Sequence, residues 1–232
     1  MPRLNKHLAD LGYGSRRACD RFIAEGKVFV NGKRAKLGTI VTDHDEIEVE
    51  GEDPAYAKNK KSKPIVIALH KPKGYITTAD ERNTKTVFDL VDIPQRLFPV
   101  GRLDVDSSGL LLLTNDGALA NFLMHPRYEH EKEYSVETNA PIRDADIITL
   151  RNGIVLDGKK TLPAGVKRVS ETRLHIRLRE GRNRQIRRMI QSIGNKVKTL
   201  VRIRVASVEL GHLPVGKWRR LTDKEIKTLQ ES

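Results

Sequence analysis

Gly101-Arg102-Leu103-Asp104-Val105-Asp106-Ser107-Ser108-Gly109-Leu110-Leu111-Leu112-Leu113-Thr114-Asn115-Asp116-Gly117 reads as a polar loop, a buried strand and a turn in immediate succession. The four leucines have strand length, Asn115-Asp116-Gly117 is a turn, and Ala118 to Met124 predicts a helix. A loop rich in glycine, serine and carboxylates beside a buried strand can hold a reactive carboxylate rigidly. It can equally be a turn whose Asp and Ser side chains satisfy backbone donors. Spacing alone does not choose between Asp104 and Asp106.

Outward from this stretch, Ile65 to Leu69 is an apolar strand run that ends in the turn Lys71-Pro72-Lys73-Gly74. Downstream, Leu174, Ile176 and Leu178 alternate with Arg173, His175, Arg177 and Arg179, a strand with one buried and one basic face. Val201, Ile203 and Val205 alternate with Arg202 and Arg204 in the same way. Ile186, Met189, Ile190 and Ile193 mark one helical face that Gly194 stops, and Thr222 to Glu225 is a capping box opening the last helix. Strands and helices mix without regular alternation, which favours an α+β domain over a doubly wound sheet.

The first 57 residues predict a separate small domain. Leu4, His7, Leu8 and Leu11 make one helical face, and Ser15 can cap a second helix striped with Ala18, Cys19, Phe22 and Ile23. Val28-Phe29-Val30 is a short strand before the tight-turn pair Asn31-Gly32, and Ile47 and Val49 mark another. Residues 58–63, four lysines among six, predict a basic linker, and a second domain is expected over 64–232.

The net charge of +13 gathers in two blocks. Residues 173–204 hold eleven Lys/Arg against one acid, and residues 1–42 hold nine against three. That is the footprint of a polyanion partner, and no long amphipathic basic helix with an aromatic face points to a membrane instead. No apolar run approaches the ~20 residues of a membrane span. With no apolar signal core at the N-terminus and a single cysteine, Cys19, a reducing cytoplasm is expected. The P-loop, the Gly-x-Gly-x-x-Gly turn and His-Glu-x-x-His are missing, so neither cofactor nor metal is expected.

Two further constellations are chemically dense. Glu180-Gly181-Arg182-Asn183-Arg184-Gln185-Ile186-Arg187-Arg188 joins a basic strand to an amphipathic helix, an arrangement suited to phosphate. Arg187, next to Ile186, falls at the edge of the buried stripe, where an arginine needs a carboxylate partner. In Glu131-Lys132-Glu133-Tyr134 the tyrosine is suited to stacking on a base or to packing in a core.

Together these segments resemble the RsuA/RluB-type ribosomal RNA pseudouridine synthases. Gly101 to Gly117 is similar to the family's aspartate signature, Lys71-Pro72-Lys73-Gly74 to its Lys-Pro-x-Gly turn and Glu131-Lys132-x-Tyr134 to its tyrosine motif. Glu180 to Arg188 is similar to the basic motif, and Gly216-Lys217-Trp218-Arg219-x-Leu221 to the C-terminal signature. The first segment, with Arg3-Leu4-x-Lys6, Gly14-Ser15-Arg16 and Val30-Asn31-Gly32, resembles the small α/β RNA-binding domain of ribosomal protein S-four. Asn5 stands where that motif often has aspartate, which removes a charge.

The resemblance implies a mixed, mainly antiparallel sheet flanked by helices and isomerisation of a flipped-out uridine in ribosomal RNA. It implies Asp104 as the catalytic carboxylate, Arg187 as its ion-pair partner and Tyr134 stacked on the uracil. Asp104 would attack C1′ or take a sugar proton. Arg102, Arg182, Arg184 and Arg188, with Arg3, Lys6, Arg16 and Arg17 of the first domain, are the expected RNA contacts. A monomer is expected, since no spare apolar stripe suggests an interface. Alternatives are a non-catalytic ribosome-assembly protein and a synthase acting on transfer RNA. A glycoside hydrolase using Asp104 and Asp106 is disfavoured, because neighbours in one loop rarely flank a sugar bond at ~5 Å or more.

Overall fold

The computed structural model describes residues 1–51, 64–78 and 85–231. The expected linker, 58–63, lies outside them. The chain divides into two compact units, Met1–Lys63 and Pro64–Ser232.

In the first unit α1 (Leu4–Asp10) and α2 (Arg16–Ala24) precede a three-stranded sheet of β1 (Val28–Val30), β2 (Lys33–Arg34) and β3 (Ile47–Val49), ordered β2-β1-β3. Ser15 caps α2 by accepting from the Ala18 N–H at 3.1 Å. Asn31 and Gly32 both have positive φ, as their hairpin turn requires. Leu4, Leu8, Cys19, Ile23, Val28 and Val41 form the core. Asn5 donates to both carboxylate oxygens of Asp20, at 2.9 and 3.0 Å, and so ties α1 to α2. An aspartate at that place would face Asp20 with like charge.

The second unit is built on β4 (Val66–Lys71), β5 (Phe98–Val100), β6 (Ser108–Thr114), β7 (Lys132–Thr138), β10 (Gly165–Arg168), β11 (Arg173–Leu178), β12 (Val197–Val205), β13 (Val208–Glu209) and β14 (Trp218–Arg220). Their order is β10-β11-β7-β12-β6-β4-β14, with β13 on β12 and β5 on β6. All these pairings are antiparallel except β12 with β6. The sheet is therefore mixed and mainly antiparallel. A separate ribbon pairs β8 (Val155–Leu156) with β9 (Lys159–Lys160).

Leu110 to Leu113 are fully buried because β6 is covered on both faces. On one face Leu110 and Leu112 pack with α3 (Gly117–Met124) and α6 (Asp223–Glu231). On the other, Leu111 and Leu113 join Ile67, Leu69, Val87, Leu97 and Leu103. On that second face, under β7 and β11, lies another core made with α4 (Asp144–Asn152) and α5 (Gln185–Ser192), including Ile147, Ile186, Met189 and Ile190. Tyr134 packs against both of these cores and so marks the seam between them. The capping box at the last helix forms as read, with reciprocal bonds between Thr222 and Glu225.

Candidate active site

Strand register assembles the floor of the site. Lys71 on β4 lies opposite Gly109 on β6, Gly109 beside Arg202 on β12, Arg202 opposite Tyr134 on β7, and Tyr134 opposite Ile176 on β11. Register partners share a sheet face, so these five residues form one row across the sheet. Gly109 is what lets the parallel pair close. Its φ is +115°, and a Cβ there would stand 2.3 Å from the Arg202 carbonyl oxygen and 2.4 Å from its nitrogen.

The loop carrying Asp104 and Asp106 runs into β6 from this row. Its backbone is gripped by Lys71, whose side chain is completely buried. Lys71 Nζ donates to the carbonyls of Pro72 at 3.0 Å, Asp104 at 3.0 Å and Ser107 at 2.8 Å. Burial lowers the Lys71 ammonium from its ordinary 10.5 to about 8, against the pull of the Asp104 and Asp106 carboxylates and with a further push from Arg202. Thr77 adds a second tie, donating to the Leu103 carbonyl at 2.9 Å. The Asp104 carboxylate itself is half-buried and makes no hydrogen bond or ion pair among the described residues. Its backbone is fixed while its side chain is unspent.

The ion pair expected between Arg187 and Asp104 runs instead to Asp106. Arg187 Nε is 3.4 Å from the Asp106 carboxylate, and Nη2 donates to the Asp106 carbonyl at 3.0 Å and to Ser107 Oγ at 3.3 Å. Arg184 adds a bidentate pair to Asp106 at 3.2 and 3.0 Å. The turn closed by the Ser107 N–H to Asp104 carbonyl bond presents Asp106, two residues on, to the start of α5. Burial pushes the Asp106 carboxyl up, but the Arg184 hydrogen bonds and both arginine charges outweigh it and hold it below the ordinary carboxylate range. Arg184 caps α5 with φ of +48°, a left-handed conformation that costs a non-glycine residue about 1 kcal/mol or more.

The other expected contacts divide by what already occupies them. Arg182 is committed internally, to Glu180 and to the carbonyls of Leu156, Lys159 and Lys160. Arg188 pairs with Asp157 at 2.6 Å. Arg102 is exposed, as are Arg3, Lys6, Arg16 and Arg17 in the first unit, and the side chains of these five have no acidic partner among the described residues. Tyr134 is half-buried, and its hydroxyl makes no hydrogen bond among the described residues. Lys71 and Arg202 were not singled out by the sequence reading. The signal for Lys71 was its place at the end of an apolar strand run, where a buried lysine must find carbonyls.

The Lys71 clamp has a pH signature. Below pH 8 the lysine is charged in folded and unfolded chains alike, and the burial penalty acts in full. Between about 8 and 10.5 the folded chain releases the proton first, so this group's contribution to stability rises with pH. The neutral amine has only two N–H groups for three carbonyls. Turnover should therefore fall along an alkaline limb near pH 8 while the melting temperature does not fall with it. Rate profiles and melts of the native protein and Lys71→Met, in which that limb should be missing, check this. Activity flat to pH 9 would refute it.

Lys71, Gly109, Arg202 and Tyr134 thus form one row beneath an aspartate loop whose backbone is fixed, an arrangement fit to present a carboxylate for chemistry. The family model for RNA pseudouridylate synthases matches residues 65–192, and the S4 domain model matches residues 2–47. The chain belongs to the RNA pseudouridylate synthase family and carries an S4 domain. It is 43% identical over 239 residues to ribosomal large subunit pseudouridine synthase B of Bacillus subtilis, spanning 99% of this chain and 96% of that one. It is 41% identical over 226 residues to the dual-specificity RNA pseudouridine synthase RluF of Escherichia coli O157:H7, spanning 97% and 77%. A crystal structure of a pseudouridylate synthase superposes with a TM-score of 0.73 at 30% identity, covering 99% of this chain and 100% of that one. No helix of the described residues is long and apolar enough to cross a membrane.

Proposed function

We propose that this protein converts a defined uridine of ribosomal RNA to pseudouridine, acting as a cytoplasmic monomer. The observation that carries the reading is the Asp104 carboxylate, without a hydrogen-bond or ion-pair partner among the described residues, on a backbone fixed by Lys71. The N1–C1′ bond breaks, the uracil turns, C5 joins C1′, and the proton lost from C5 is balanced by one gained at N1. Nothing is oxidised or reduced. Asp104 acts at the sugar, by attack at C1′ or by removing a sugar proton. Tyr134, whose hydroxyl makes no hydrogen bond among the described residues, stacks on the uracil. Arg187 fixes the loop through Asp106 and Ser107.

The target base leaves its stack at a cost of a few kcal/mol. Exposed cations offset it by binding phosphate: Arg102 in the catalytic unit and Arg3, Lys6, Arg16 and Arg17 in the S4 domain. Arg184 and Arg188 join them by exchanging exposed carboxylates for phosphates. Ribosomal RNA is favoured as substrate by the relative named for the large ribosomal subunit, similar over almost its whole length.

Tritium release from RNA labelled at uridine C5 tests the reading. The native protein should release tritium from unmodified ribosomal RNA, large-subunit transcripts first, in an amount set by a single site or a few. Release from transfer RNA alone would move the substrate. Tight binding to every RNA without release would make the protein a non-catalytic binder.

A further inference from the structure

Arg202 sits in the middle of the sheet with 3% of its surface exposed. Its Nε donates to the Leu110 carbonyl at 2.7 Å and its Nη1 reaches the Arg102 carbonyl at 3.4 Å. Its Nη2 is buried and has no partner, and no carboxylate pairs with it among the described residues. A second buried cation, Lys71, is close enough for Arg202 to lower its proton affinity. Two like charges in one row, neither with a carboxylate at ion-pair distance among the described residues, work against folding. A well-packed apolar side chain on β12 would serve the sheet better, so the arginine needs another reason.

That reason lies in what the two cations hold. Lys71 binds the carbonyls of Asp104 and Ser107, and Arg202 binds those of Arg102 and Leu110. The loop is thus held on either side of Asp104 from beneath. Gly109 leaves room between them, since it has no side chain where β6 and β12 meet.

We infer that Arg202 is a positioning residue for catalysis, which fixes the loop before Asp104 to strand β6 and places a permanent positive charge under the reacting carboxylate. Arg202 does not touch the substrate. It acts through the backbone of Arg102 and through its charge, which low local dielectric leaves poorly screened. This inference rests on the reading that Asp104 performs the chemistry.

The test compares native protein with Arg202→Met and Arg202→Lys in three measurements. Arg202→Met should melt no lower than the native protein and bind substrate RNA with unchanged Kd and salt dependence. Its kcat should fall about 10- to 100-fold with KM within about twofold, the pattern of a group needed for orientation and charge. Amide exchange at Arg102 to Asp104 should quicken while that of Leu111 to Leu113 does not. Arg202→Lys, which keeps the charge but not the fork, should recover part of the lost kcat. Native kcat in Arg202→Met overturns the inference, and so does a loss of kcat matched by lowered melting temperature and RNA affinity. If the native protein releases no tritium yet exchange in the loop quickens as stated, the positioning role stands and the assigned reaction falls.

Discussion

Asp104→Asn should lower turnover at least about 10³-fold, the scale on which removal of a nucleophile or general base is felt. The same variant should melt within a degree or so of the native protein and bind RNA with an unchanged Kd. Asp104 makes no side-chain hydrogen bond or ion pair among the described residues, so removing its charge takes from the fold only longer-range attraction, that for Lys71 included. Asp106→Asn is the informative partner. It breaks the ion pairs to Arg184 and Arg187 and should cost some tenfold in turnover with a measurable change in RNA affinity, because Arg184 is released while Arg187 keeps only its bonds to the Asp106 carbonyl and Ser107. Single-turnover tritium release with each variant separates the two aspartates. Equal losses, or a larger one in Asp106→Asn, would move the chemistry to Asp106.

Gly109→Ala should be the most damaging single methyl that can be added to the sheet. The new Cβ would meet the Arg202 backbone at 2.3 Å and would also have to accept φ of +115°. Overpacking and backbone strain together give about 3–5 kcal/mol, which in a domain of this size is a fall of roughly 10 °C in melting temperature. Gly101→Ala is the control. Its φ of +76° is strained as well, but nothing lies within 4 Å of the added atom. It should lose only about 1 kcal/mol. If thermal melts show the two variants equally destabilised, close approach of β12 is not what Gly109 provides.

Much of the fold is legible along the chain because it is local chemistry. The Ser15 and Thr222 caps, the turn at Asn31-Gly32, and the α5 stripe of Ile186, Met189 and Ile190 each depend on residues within one or two turns. The alternation of Leu174, Ile176 and Leu178 with arginines and histidine likewise reports one strand with one covered face. Motif resemblance proposed Asp104, Tyr134 and Arg187 for one site; in the fold Arg187 meets the Asp104 loop at Asp106 and Ser107, and Tyr134 lies in the sheet row opposite Arg202.

What no local pattern encodes is which strands become neighbours. Arg202 bonds to carbonyls 92 and 100 residues away, and Lys71 to carbonyls 33 and 36 residues away. Read along the chain, Arg202 belongs to a half-basic strand, one more cation for RNA. Only the parallel pairing of β12 with β6 buries it. The partner of Arg187 was likewise settled by the shape of the 104–107 turn, which offers Asp106 to α5. By itself the sequence determined the class of protein, through its family resemblance, and those helices and strands that rest on residue types at short spacing; it was the resemblance, not the spacing, that pointed to Asp104 over Asp106. Tertiary structure alone decided how that aspartate is supported. The supporting cations come from strands distant in the chain, and their burial exists only once the sheet has closed around Gly109.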